Sequence, residues 1–350
     1  MIQHSMPIFR VKKAANIPLR ESDCVISSMF LHPGVEYAIC PVHLALLRMT
    51  GTVEVLGEIS PTSKDDDDVL VVFPGGIGDM LSARPGLRAL RNSGRRVFVA
   101  SNLDDWELLE DVVDGFLPYP LPVEIMKGFS TWTVLDEHIR SDISLGNLRH
   151  RFAVALGVEP EGEVDSPDFS MFSDLAFQVL GGHDERKVGF HVRAANAQKS
   201  PPNQVWAWLA IRLASMGIHS YLIGTARQEL DIRIKGKPAW PDKIHSLCGR
   251  VPSLRLQLAI INQLDILVGP DSAGIHLAAA AGTPSVGLFG PTDPKVIADY
   301  PNMTAMAGTA DCAPCNSVIA SDCLHPYCKA FDSLDLNVIL AAIMSKVEGE

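Results

Sequence analysis

Three stretches of this chain carry residues able to do chemistry. The first is the apolar run Val69–Phe73, followed by Gly75, Gly76, Gly78 and then Asp79. The second is Ile266–Val268, followed by Gly269, Pro270, Asp271, Ser272, Ala273, Gly274 and His276. Each reads as a buried strand turning into a helix. Such a junction is a ready anion site, because the first helical N–H groups are unpaired and the helix dipole is positive there. Asp271 and Ser272 are expected to cap their helix, while Ala273 and Gly274 let a ligand's phosphates approach the backbone. His276, one turn further, would reach the same ligand. Asp79 is a natural cap for the first helix. The glycines ahead of it lack the G-x-G-x-x-G spacing of a dinucleotide site.

The third stretch is Cys312-x2-Cys315-x7-Cys323-x4-Cys328. Four thiolates at this spacing can surround one tetrahedral metal, and zinc or iron suits a four-sulfur set. His325 is a spare ligand. Four sulfurs leave no position for water, so a metal here would be structural; the alternative is reduced or disulfide-paired cysteines. Cys24, Cys40 and Cys248 are scattered and read as small buried apolar residues.

The elements that must position these groups alternate between strand and helix. Residues 1–64 read as a small β-rich extension, with apolar pieces at Ile8–Val11, Val25–Met29, Val35–Ile39 and Val53–Ile59 and a helix over Val42–Met49. Asp65–Asp68 is a solvated acidic linker. After the Asp79 helix, with Pro85 in it, come a strand at Arg96–Ser101 and a helix at Asp104–Val112 with Trp106 and Leu109 inward. A strand at Phe116–Tyr119 and a helix at Leu145–Leu156 ending at Gly157 follow. The acidic, Pro/Gly-punctuated residues 158–184 connect to a second series. It comprises strand Lys187–His191, helix Val205–Met216, strand Ser220–Ile223, a helix whose first turns hold Glu229, a helix from Ser253, and the Asp271 junction. A final helix covers Leu336–Val347. This predicts an α/β chain of two doubly wound domains, 65–172 and 173–350, behind the 1–64 extension.

The 350 residues suffice for two such domains, and the 47% hydrophobic and 20% charged composition is globular. A net charge of −11 argues against a nucleic-acid binder. No apolar run approaches the ~20 residues of a membrane span, and the N-terminal residues lack a signal peptide's apolar core. The expected location is the cytoplasm.

The run D-S-A-G-I-H-L-A-A-A-A-G-T-P with L-F-G-P-T-D-P behind it resembles the signature of glycosyltransferase family 9, the ADP-heptose:lipopolysaccharide heptosyltransferase group. So does G-G-I-G-D followed by Arg84-Pro85-x-Leu87-Arg88-x-Leu90-Arg91. The resemblance runs from about Val69 to Phe331. It implies a GT-B architecture, two Rossmann-like domains facing across a cleft, and an inverting transfer of a sugar, heptose from ADP-heptose by family likeness. Asp79 would be the catalytic base. Arg193 or Lys199 would hold the donor diphosphate, and Glu229, after Gly224, the donor ribose; two carboxylate oxygens match two hydroxyl donors. Gly76, Gly78, Asp271, Ser272, Ala273, Gly274 and His276 complete the donor side. The resemblance implies no catalytic metal, and a structural one at the cysteines in some members. The acceptor would be a lipopolysaccharide sugar, another glycan or a protein, with peripheral membrane contact where it is lipid-linked. Two rival readings remain: a nucleotide-sugar epimerase, which needs several acid/base groups where only Asp79 has a clear position, and a non-catalytic nucleotide-sugar-binding scaffold.

Overall fold

The computed structural model describes the chain apart from residues 2–4, 12–14, 22–23, 49–52, 64–66, 102–105, 136–138, 140–141, 161, 163, 227–228, 231–232, 235–236, 239–240, 298, 316–322, 324, 326 and 350. It divides into two compact units, Met1–Asp165 and Ser166–Glu350. Unit 1 contains β1 (Met6–Val11), β2 (Ala15–Glu21), β3 (Cys24–Leu31), β4 (Glu36–Ala38), α1 (Pro41–Arg48), β5 (Val53–Ile59), β6 (Asp68–Phe73), α2 (Ile77–Asn92), β7 (Arg96–Ser101), β8 (Gly115–Pro118), β9 (Leu121–Pro122), α3 (Val123–Met126), β10 (Thr131–Val134) and α4 (Leu148–Leu156). Unit 2 contains α5 (Ser173–Val179), β11 (Lys187–Phe190), α6 (Asn203–Ser215), β12 (His219–Leu222), β13 (Arg233–Ile234), β14 (Lys237–Pro238), β15 (Ile244–Ser246), α7 (Leu254–Asn262), β16 (Ile266–Pro270), α8 (Ala273–Ala281), β17 (Ser285–Phe289), α9 (Pro294–Ile297), β18 (Met303–Ala307) and α10 (Leu336–Val347).

In unit 1 the strands β10-β6-β7-β8 form a parallel sheet. Period-2 alternation splits β6 between two layers. Leu70 and Val72 join one cluster with Met6, Phe9, Tyr37 and Leu47, so the N-terminal segment covers this face of the sheet. That segment builds its own antiparallel sheet, β5-β1-β4-β9, whose last strand β9 lies in sequence between β8 and β10 and so ties it to the parallel sheet. Each fully buried large apolar side chain contributes roughly 1.5–3 kcal/mol. Phe73 meets Phe152 of α4 edge-on at 5.9 Å. Gly86 lets α2 and α4 approach, since a Cβ there would lie 3.2 Å from the Ala153 Cα.

The arginines of the 84–91 motif turn out to hold unit 1 together. Arg84 is fully buried and reaches Asp111 Oδ1 (2.9 Å), Asp165 Oδ1 (3.1 Å) and the Leu108 carbonyl. Arg88 pairs with the same two carboxylates, at 2.6 and 2.7 Å. Burial would raise the Asp111 carboxyl, but Arg84 and Arg88 hold it at about 2. Pro85 lies in the interior of α2, which runs on to Asn92. The expected helix over 104–112 is not formed: residues 104–105 lie outside the described residues, and Trp106–Leu108 is a single 3-10 turn. Trp106 points outward, 52% exposed, while Leu109 is buried.

In unit 2 the order β15-β12-β11-β16-β17-β18 is parallel throughout. All five residues of β16 and of β17 are buried, as strands covered on both faces must be. Parallel alignment places the ends of β11, β12, β16 and β17 at one sheet edge, where ligands of such folds bind. α7 begins at Ser253, whose side chain accepts from Leu256 N. α10 packs on α6, β16 and β17 and is capped by Asp335. The expected helix around Glu229 is absent at that residue; Glu229 is exposed and non-helical.

Candidate functional site

In unit 1 the chain leaves β6 through Gly75 and Gly76 and enters α2 at Ile77. Asp79, half-buried in the first turn, accepts the Gly76 N–H at 3.0 Å through Oδ2. Gly75 keeps this approach close, because a Cβ there would sit 3.0 Å from the Asp79 Cβ and Oδ2 and push the carboxylate aside. The glycine loop thus folds around the carboxylate. Gly78 contributes its carbonyl to Ser82 Oγ (2.9 Å).

In unit 2 the expected cap is not made. Ser272 occupies the N-cap position of α8 but gives no side-chain cap. Its hydroxyl lies 3.3 Å from the Pro270 carbonyl and 3.0 Å from His191 Nδ1. Asp271 does not cap either; it is 5% exposed and pairs with Lys199 Nζ at 2.8 Å. Burial would raise the Asp271 carboxyl, yet Lys199, His276 and Thr292 together hold it below the usual range. Oδ2 of Asp271 and Oγ1 of Thr292 are buried without a well-angled hydrogen bond. His276 is buried and bonded through Nδ1 to the Tyr300 hydroxyl at 2.7 Å. A helix start without a side-chain cap therefore lies beside a cation held by a buried carboxylate. This is chemistry for an anionic ligand.

Lys199 ends a 3-10 turn, Ala197–Lys199, opened by Asn196, whose side chain accepts Gln198 N at 2.8 Å. Arg193 reaches Asn203 Oδ1 at 3.3 Å, so of the two cations Lys199 is the one beside Asp271. Ala273 is half-exposed at the first helical position. Gly274 has a different reason from the one expected: a Cβ there would lie 2.5 Å from His191 Cβ. Gly224 has φ +132°, a glycine conformation, and its carbonyl accepts Gly249 N at 2.8 Å. Glu229 accepts the Ser246 hydroxyl at 2.7 Å. The sequence reading missed His191, Thr292 and Tyr300. Thr292 lay inside the quoted G-P-T-D-P run; His191 and Tyr300 meet the junction only through the fold. Burial pushes His191 down to about 4, which keeps its ring neutral.

Cys312, Cys315 and Cys323 are exposed, Cys328 is buried, and all four are free of disulfides. Burial pushes the Cys328 thiol up, and the other three thiols add to the rise. The donor set suits a soft metal. Among the described residues, however, these sulfurs are not drawn to ligand spacing; the group that is comprises His183, Glu185 and His219. The cysteine segment touches the loops that carry Lys199 and Thr292: Gln198 Nε2 donates to the His325 carbonyl at 3.3 Å, and Gly290 has no room for a Cβ against Phe331 and Cys328. No helix among the described residues is long and apolar enough to cross a membrane.

The two parallel-sheet α/β units give this chain a fold that it shares with solved glycosyltransferases. Residues 152–322 match the model of glycosyltransferase family 9 (heptosyltransferase). A stretch of 85 residues is 32% identical to the lipopolysaccharide core heptosyltransferase OpsX of Haemophilus influenzae; it spans 22% of this chain and 22% of that relative. Solved structures share the fold, two of them glycosyltransferases of E. coli. ADP-heptose lipopolysaccharide heptosyltransferase II of E. coli superposes with a TM-score of 0.61 at 15% identity, over 81% of this chain and 99% of that one. TibC of enterotoxigenic E. coli, an iron-containing dodecameric glycosyltransferase, superposes with a TM-score of 0.62 at 16% identity, over 100% of this chain and 92% of that one.

Proposed function

We propose that the chain is an inverting glycosyltransferase that moves heptose from ADP-heptose to an acceptor hydroxyl. The observation that carries this is the α8 start, where Ser272 withholds its cap and Lys199 stands beside buried Asp271. In this reading the donor diphosphate takes the α8 N–H groups, with Lys199 turning to it and His276 lying behind Asp271. Glu229 holds the ribose. Asp79 removes the acceptor hydroxyl's proton as that oxygen attacks the anomeric carbon. The bond from the anomeric carbon to the diphosphate breaks, and ADP leaves with its new charge stabilised by α8 and Lys199. TibC has been solved with ADP-heptose, and OpsX is named for the lipopolysaccharide core, which supports both the donor and a glycan acceptor. The cytoplasm is the compartment this reading requires.

The cysteine segment fits the same reading as a structural support. Cys312, Cys315, Cys323 and Cys328 would hold zinc or iron by closing their loop, and Gln198 and Gly290 would pass that order to the donor loops. TibC's description as iron-containing favours iron. Elemental analysis should find one zinc or iron per chain, lost in Cys312→Ser; a metal-free wild type would contradict it.

The test of donor choice is calorimetric titration with ADP, UDP and GDP, then with a non-hydrolysable ADP-heptose analogue. ADP should bind selectively, and the heptose should tighten it. Preference for UDP or GDP would overturn the donor, and absence of nucleotide binding would overturn the function.

A further inference from the structure

A second group of ligating side chains lies at the other edge of the unit 2 sheet, among the amino-terminal ends of its strands. His219 opens β12, Glu185 and His183 precede β11, and His245 sits in β15 beside Tyr221. One ligand atom from each of His183, Glu185 and His219 lies within 4.8 Å of the others. The His219 ring stacks on His245 at 5.1 Å with 7° between planes, and lies 4.5 Å from His183. His219 Nδ1 is 2.8 Å from His245 Nε2. That contact commits Nδ1 to a partner behind the ring and turns Nε2 toward Glu185.

Nε2 of His219 then has neighbours that ask opposite things of it. The Glu185 carboxylate asks for a proton there, while the Lys243 ammonium, 2.9 Å away, asks for a lone pair. Lys243 also lies 3.2 Å from Glu185 Oε2. A cation in the ammonium's place satisfies both, because imidazole and carboxylate then offer it lone pairs together. Two imidazoles and a carboxylate suit a borderline divalent ion, and a hydrogen-bonded partner behind a ligating imidazole is the usual support.

We propose that His183, Glu185 and His219 form a binding site for one divalent cation of the zinc class, with His245 orienting His219 and Lys243 as the competing cation. Lys243 is partly exposed, so it can swing out as the metal enters. The bound ion would tie the segment leading into β11 to β12 at the sheet edge opposite the donor junction. It is thus a brace for unit 2, separate from the cysteine segment and from the transfer chemistry.

The test is a Co2+ titration of the full-length, untagged chain, followed by its visible spectrum. Co2+ on nitrogen and oxygen ligands lacks the intense thiolate charge-transfer bands of a cysteine site, so the two sites are read apart. One equivalent should bind without those bands. His183→Gln and His219→Gln should each weaken it at least about tenfold. Lys243→Met should tighten it, which a merely unfolded variant cannot do. Nucleotide binding should be unchanged in His183→Gln, so this result stands apart from the donor assignment. The proposal is overturned if all bound cobalt shows thiolate bands, if both glutamine variants bind as the wild type does, or if Lys243→Met brings no gain.

Discussion

The two strand-to-helix junctions start from the same parts and end differently. After β6 the acidic residue turns back onto its own helix start, and Asp79 takes the Gly76 N–H. After β16 the acidic residue turns away: Asp271 is spent on Lys199 and Ser272 on Pro270 and His191, leaving α8 without a side-chain cap. A capped start presents a carboxylate to its surroundings; an uncapped one presents N–H donors. The first suits an acceptor hydroxyl that must lose a proton, the second a diphosphate that must gain charge stabilisation.

The comparison breaks most decisively at Asp79. Asparagine still accepts the Gly76 N–H, so Asp79→Asn keeps that hydrogen bond and removes the carboxylate that would take a proton. Turnover should fall by about 10²–10⁴-fold with donor affinity nearly intact. An unchanged kcat would reduce Asp79 to a cap. Next in size is Lys199→Met, which should cost about 1.5–3 kcal/mol of donor affinity by calorimetry. It should also lower thermal stability, because Asp271 is left buried without its cation.

Ala273→Pro is smaller and sharper. Proline is tolerated at a first helical position, and Ser272 before it is already extended, at φ −158° and ψ 176°. The substitution should leave the melting temperature alone while removing one N–H donor, weakening ADP by about 1 kcal/mol. Equal affinity would mean that the diphosphate sits elsewhere. The smallest effects separate the glycines. Gly274→Ala should cost about 1–3 kcal/mol of stability by denaturant melting, since its methyl meets His191. Gly76→Ala should cost under about 1 kcal/mol, because the nearest atom to its methyl is 4.0 Å away. Equal costs would show that the two junctions are packed alike.

Much of this was legible beforehand because the signals are local. Apolar runs bounded by glycine placed β6 and β16, and α10 falls on Leu336–Val347 as read. What stayed hidden depends on distant partners. Trp106 looked like a core residue by spacing, but the turn that carries it is too short to bury it. Ser272 and Asp271 have the types of caps, yet His191 and Lys199, some seventy to eighty residues earlier, outbid the helix for them. Glu229 suggested a helix start, and its side chain takes the Ser246 hydroxyl instead. The 84–91 arginines carried a family likeness whose physical reason, Asp111 and Asp165, lies outside the motif. His183, Glu185 and His219 meet only because β11 and β12 pair.

The division of labour between the junctions is tested most directly by one set of ADP titrations on the wild type, Asp79→Asn and Ala273→Pro at constant ionic strength. Asp79→Asn should bind as the wild type does, and Ala273→Pro more weakly. The reverse order, with Asp79→Asn losing ADP and Ala273→Pro keeping it, would place the diphosphate at the first junction and contradict the account.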